Sequence, residues 1–173
     1  MQNTKARGRI LYLCHAGLVA ALYVVLTVAV GAIGLSGGAI QLRVSEALCV
    51  LVAFMPAAIP GLAVGCLVAN LITGCLWQDV LFGTLATLIG ALFGRLLRKH
   101  AYLIPLPTVV ANTVIVPMVL AYVYHAPEGI GFLMLTVGAG EILSAYVLGL
   151  ILYFALRRHG RRLFGARFLW GTF

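Results

Sequence analysis

The chain of 173 residues contains four acidic side chains, Glu46, Asp79, Glu128 and Glu141. Glu46 follows Arg43 by three residues in AIQLRVSEALC, at the head of an apolar segment. Glu141 stands inside another apolar run, GAGEILSAY, with no basic residue near it on that run. An ionisable group inside a bilayer is costly and marks a site or an ion path by default. A carboxylate held there needs a partner, and a ligand that offers adjacent N–H donors supplies one. Arg43, Glu46, Asn70, Trp77, Asp79, Asn112 and Glu141 are therefore the residues that could bind a polar ligand.

Composition sets where these residues must sit. The chain is 63% hydrophobic and 9% charged, against about 25% charged residues in soluble domains. So little charge cannot cover a water-facing surface, which predicts an all-α, polytopic membrane protein. The formal net charge of +8 does not indicate nucleic acid, because the basic residues cluster at the ends of apolar runs. The basic start MQNTKARGRI leads into a long apolar run without an obvious cleavage site, which predicts a retained first helix. The cysteines Cys14, Cys49, Cys66 and Cys75 form no CxxC pair and read as reduced packing residues.

Hydropathy predicts six transmembrane helices, at about 10–33, 45–57, 60–76, 79–97, 106–125 and 130–156. Pro56 and Pro60 are expected to bracket the turn between the second and third. Eleven of the twelve basic residues then fall on one side of the membrane. They precede helix one, follow helix four and follow helix six, which predicts that both termini are cytoplasmic. Arg43 is the exception, on the outer face. Residues 1–173 read as one transmembrane domain, with 157–173 a basic and aromatic tail along the inner headgroups. Small residues four apart, among them Ala16 and Ala20, Gly61 and Gly65, and Gly90 and Gly94, allow close helix approach. The pair on helix one could instead face a partner protein.

With this topology all seven candidates reach the outer half of one bundle at 1.5 Å per residue. The expectation is a polar pocket that opens outward. Each residue also has a structural role open to it. Ser45 could cap a helix with Glu46 in its first turn, Arg43 could pair with Glu46 or Asp79, and Asp79 could cap helix four. Trp77 suits an interfacial belt, and Asn70 and Asn112 suit interhelical hydrogen bonding.

Enzyme templates fail. HExxH and GxSxG are absent, the four histidines are isolated, and no GxxxxGK[ST] exists. No metal, cofactor or catalytic residue is expected. Uptake by this chain would need an external motor or an ion gradient.

The run QLRVSEALCVLVAFMPAAIPGLAVGCLVANLITG, followed by DVLFGTLATLIGAL, resembles the queuosine-precursor transporter family, QueT. The resemblance is strongest over 41–92. It implies a substrate-binding S component of an energy-coupling factor (ECF) transporter in a bacterial plasma membrane. Its implied partners are a transmembrane scaffold subunit, two cytoplasmic ATPases and membrane lipid. The implied docking face is on helix one, at Ala16 and Ala20. The implied substrate is a cyano or aminomethyl deazaguanine, or queuine. A guanine-like edge suits Glu141 or Glu46. Its acceptors suit Asn70, Asn112 or Arg43, its flat ring suits Trp77, and a cationic aminomethyl group suits Asp79. Another vitamin-like heterocycle, or a small intramembrane enzyme using Glu46, Asp79 and Glu141, are the competing readings.

Overall fold

A computed structural model describes residues 2–34 and 42–164, with side chains described over 6–34 and 42–159. All regular elements among the described residues are helical. They run α1 (Gln2–Ala32), a 3-10 helix (Val44–Ala53), α2 (Ala58–Ile72) and α3 (Trp77–Leu96). A 3-10 turn (Ala101–Leu103) leads to α4 (Leu106–Tyr122), α5 (Ile130–Glu141), a π-helical segment (Ile142–Leu148) and α6 (Gly149–Phe164). Among the described residues, four stretches are long and apolar enough to cross a membrane: Ala6–Ala32, Trp77–Leu96, Ala101–Tyr122 and Ile130–His159. Val44–Ala53 and Ala58–Ile72 are shorter.

The ten-residue 3-10 helix forms the centre of the bundle. Its residues 45–52 are all buried, and α1, α2, α3, the π segment and α6 pack around it. Runs of 3-10 helix this long are uncommon, because side chains three apart eclipse one another. Burial on every side explains the apolar residues here. The threefold repeat aligns Glu46, Cys49 and Val52 along one ridge. Arg95 of α3 closes the far end, donating from one guanidinium nitrogen to the carbonyls of Val52 at 2.7 Å and Ala53 at 3.0 Å. Those carbonyls end the helix without intrahelical donors, and a cation suits that pole.

Glycines set the closest helix crossings. A Cβ at Gly61 would stand 2.7 Å from the Ala16 carbonyl oxygen, and one at Gly65 would stand 2.7 Å from the Tyr23 Cβ and 3.1 Å from the Ala20 Cα. Ala16 and Ala20 therefore pack onto α2 within the chain. The small residues beside them, Gly17 and Ala21, are exposed. Thr108 of α4 fills the notch at Gly90.

Some boundaries differ from those predicted. α1 begins eight residues earlier than expected, because the basic residues after Gln2 continue the helix. Pro60 lies inside the first turn of α2, where its missing N–H has no helical partner to lose. Pro117 lies within α4 and leaves the Thr113 carbonyl without its helical donor. Of the tail expected over 157–173, residues up to Phe164 continue α6; 165–173 lie outside the described residues.

Large apolar side chains cover the outer surface, including Leu13, Val25, Leu96, Leu135 and Ile151, each more than half exposed. An apolar exterior of this extent is a lipid-facing one.

Candidate functional site

The polar candidates gather at one end of the bundle. The basic clusters lie at the other, at the start of α1 and the ends of α3 and α6. A cavity of about 350 Å³ opens among the ends of α1, α2 and α4 and the start of α3. Arg43, Asn70, Asp79, Thr27, Thr73 and Tyr124 supply its polar lining, and Val30, Val116 and Leu120 supply apolar walls.

Each polar group is placed by a local device. Arg43 precedes the 3-10 helix, its carbonyl accepting the Glu46 N–H at 2.9 Å, and its guanidinium makes no hydrogen bond to another described residue. Asp79 lies in the first turn of α3, where the helix dipole favours a carboxylate. It is 7% exposed, and its Oδ2 accepts the Tyr124 hydroxyl at 3.2 Å. The Tyr124 hydroxyl in turn accepts the Leu76 N–H at 3.1 Å, so one phenol ties the end of α4 to the α2–α3 turn. Partial burial pushes the Tyr124 phenol above its ordinary range, which keeps it a donor. The next residue, His125, takes a left-handed backbone at φ 51°, turning the chain after this tie. Asn70 is buried, and its amide donates to the Cys66 sulfur at 3.6 Å, a weak acceptor. Gly83 makes room for that amide, since a Cβ there would lie 3.0 Å from Nδ2.

A second polar layer lies deeper and is closed to water. Glu46 is 1% exposed, Asn112 1% and Glu141 4%. Tyr23 donates to Glu46 Oε1, and Thr27 Oγ1 donates to Ser45 Oγ at 2.8 Å. Glu46 Oε2 and Glu141 Oε2 have no hydrogen-bond partner. Arg43 is within Coulombic reach of Glu46 and Asp79. The capping role open to Ser45 is not taken up, since no side chain caps the 3-10 helix.

The seven candidates thus separate into three groups. Arg43, Asn70 and Asp79 line the cavity. Glu46, Asn112 and Glu141 form the layer beneath it. Trp77 is 69% exposed and does not line the cavity, because the first residue of α3 points away from the bundle. The aromatic ring at the cavity is Tyr124 instead. Neither Tyr23 nor Tyr124 is among the residues the sequence marks; the one signal for Tyr124 is an aromatic residue just past the end of the helix that carries Asn112.

Residues 13–158 match the family model described as QueT transporter. The chain belongs to the QueT transporter family. A QueT transporter with several long apolar helices is a multi-pass membrane protein. The chain is 41% identical over 80 residues to the "Queuosine precursor transporter QueT" of Lactococcus lactis subsp. cremoris (strain MG1363). That match covers 46% of this chain and 47% of the relative, so it spans about half of each. No solved structure matches the chain.

Proposed function

We propose that this chain is the substrate-binding S component of an ECF transporter and captures a deazaguanine queuosine precursor, or queuine, from outside a bacterial plasma membrane. One observation carries the reading. The Arg43 guanidinium lines the cavity together with Asp79 and Asn70 and makes no hydrogen bond to another described residue. A cation held half-buried without a counter-ion contact is costly unless something else engages it. A guanine-like ring meets the demand. Its carbonyl and ring nitrogen accept from Arg43 and Asn70, while its amine and ring N–H donate to Asp79. Tyr124 offers the ring an aromatic edge. Glu46, Asn112 and Glu141 support the floor from beneath.

Six crossings with both termini cytoplasmic place the basic clusters inside and the cavity outside. The 3-10 helix and α2 rise about 20 and 22 Å, less than a bilayer core of about 30 Å, and sit among longer helices that complete the span. The exposed small residues of α1, Gly17 and Ala21 beside Ala16 and Ala20, give a scaffold subunit a close approach. Two cytoplasmic ATPases supply the motor that the chain lacks.

Calorimetric titration of the detergent-purified chain with the cyano base, the aminomethyl base, queuine and guanine tests the substrate. The expected result is tight binding of a deazaguanine with guanine much weaker. No heat with any of the four, from folded protein, removes the queuosine assignment.

A further inference from the structure

The layer beneath the cavity contains a polar cluster where α4, α5, the π segment and the 3-10 helix come together. Glu141 and Ser144 stand three apart across the end of α5 and the start of the π segment. Thr108 and Asn112 stand four apart on one face of α4. Their residual exposures are 4%, 0%, 1% and 1%. Glu141 lies beside Asn112. Cys49 of the 3-10 helix lies near Thr108 and Glu141 and approaches the Ala145 carbonyl oxygen at 3.9 Å, which marks where the three elements meet.

Glu141 Oε2, Ser144 Oγ, Thr108 Oγ1 and Asn112 Nδ2 make no hydrogen bond of good geometry, although Asn112 lies within reach of Glu141 and Thr108 within reach of Cys49. Buried polar atoms are nearly always paired, and each orphan costs about 1–3 kcal/mol. Four in one layer call for a shared ligand. A half-turn of the Asn112 amide presents its oxygen in place of its nitrogen. The donors are then one carboxylate, two hydroxyls and one amide oxygen, a hard oxygen set. Glu46, the other carboxylate at this depth, is engaged by Tyr23 through Oε1, although its Oε2 is also unpaired. One carboxylate in the set suits a single positive charge, since divalent sites recruit more oxygens and more carboxylates. Among the described residues no group of three or more His, Cys, Asp or Glu is placed to hold a metal ion. The π segment adjoins the cluster, and such segments are rare and concentrate at functional sites.

We propose that Glu141, Ser144, Thr108 and Asn112 form a binding site for a small monovalent cation such as sodium. The cation satisfies the orphaned oxygens and neutralises Glu141 where water does not reach. The site is separate from the solute cavity and does not depend on which solute the cavity takes.

The test is thermal unfolding of the detergent-purified full chain, without solute, in sodium chloride against choline chloride at equal ionic strength. Sodium is expected to raise the midpoint, by about 3–6 °C at ten times its dissociation constant and then with the logarithm of its concentration. The shift disappears in Glu141→Gln and in Ser144→Ala; the latter serves if the glutamine variant does not fold. Radioactive sodium binding to immobilised chain is expected to be displaced by sodium chloride and not by choline chloride. Equal midpoints in the two salts overturn the proposal. So does a midpoint that follows pH alone, which means a bound proton, or a sodium shift that persists in both variants. No deazaguanine is present, so this result and the solute titration succeed or fail separately.

Discussion

The phenol of Tyr23 donates to Oε1 of Glu46, joining α1 to the central 3-10 helix across 23 positions of chain. The same helix face carries Thr27, whose hydroxyl donates to Ser45 one residue before Glu46. α1 is therefore bonded to the start of the 3-10 helix at two points, just behind Arg43. Removing the Tyr23 hydroxyl leaves Glu46 buried with neither oxygen paired. Tyr23→Phe is expected to destabilise the chain by about 1–3 kcal/mol. A double-mutant cycle with Glu46→Gln, read by thermal unfolding, checks it; additive effects mean the bond contributes nothing.

Arg43→Ala separates binding from folding. The Arg43 side chain makes no hydrogen bond to another described residue, so its removal is expected to leave the unfolding midpoint within a few degrees of the parent. Solute affinity is expected to fall at least tenfold, about 1.4 kcal/mol, the lower end for a hydrogen bond to a charged group. Titration calorimetry on the variant decides, and unchanged affinity contradicts the role given to this residue.

Trp77 provides the converse case. With its side chain 69% exposed and outside the cavity, Trp77→Ala is expected to leave solute affinity within about twofold, under 0.5 kcal/mol. Tyr124→Phe is expected to weaken binding by loosening Asp79. If the tryptophan variant loses affinity and the phenylalanine variant does not, the aromatic assignment at the cavity reverses.

Gly65→Val places a side chain where the Tyr23 Cβ already lies 2.7 Å from an added Cβ. Backbone separation of α1 and α2 is the only relief, and a loss of about 1–3 kcal/mol is expected. An added Cβ at Gly17 meets nothing within 4 Å. Gly17→Ala is therefore expected to keep full stability in detergent, while uptake by the assembled transporter falls if a scaffold packs there. Unfolding midpoints and cell uptake, measured on both variants, read the two effects apart.

Arg95→Ala removes both hydrogen bonds to the carbonyls of Val52 and Ala53. The expected loss is about 2–3 kcal/mol, as for hydrogen bonds to a charged group. Arg95→Lys keeps the charge without the two-carbonyl reach and is expected to recover part of it. An alanine variant with a parental midpoint shows that the 3-10 helix ends without this cap.

The sequence by itself determined the solvent and the class of the fold. With 63% hydrophobic residues, the chain has too little charge to clothe a soluble domain, and unbroken apolar runs can bury their backbone in lipid only as helices. The sequence also marked the polar residues that gather at the cavity and in the layer beneath it, because acidic residues and asparagines in such runs are costly. Only the tertiary structure separated Arg43, Asn70 and Asp79 at the cavity from Glu46, Asn112 and Glu141 beneath it. Depth along a helix can be counted at a fixed rise per residue, but the side of the helix facing the bundle depends on its neighbours. Trp77 shows this, one residue from Gln78 and two from Asp79 yet turned outward. Ala16 and Ala20 show it again, since small residues four apart permit a close approach without saying to what. Their partners proved to be Gly61 and Gly65. The long 3-10 helix was also not legible, because its apolar residues fit an α-helix equally well, and it is burial on every side together with the Arg95 cap that accompanies the tighter winding.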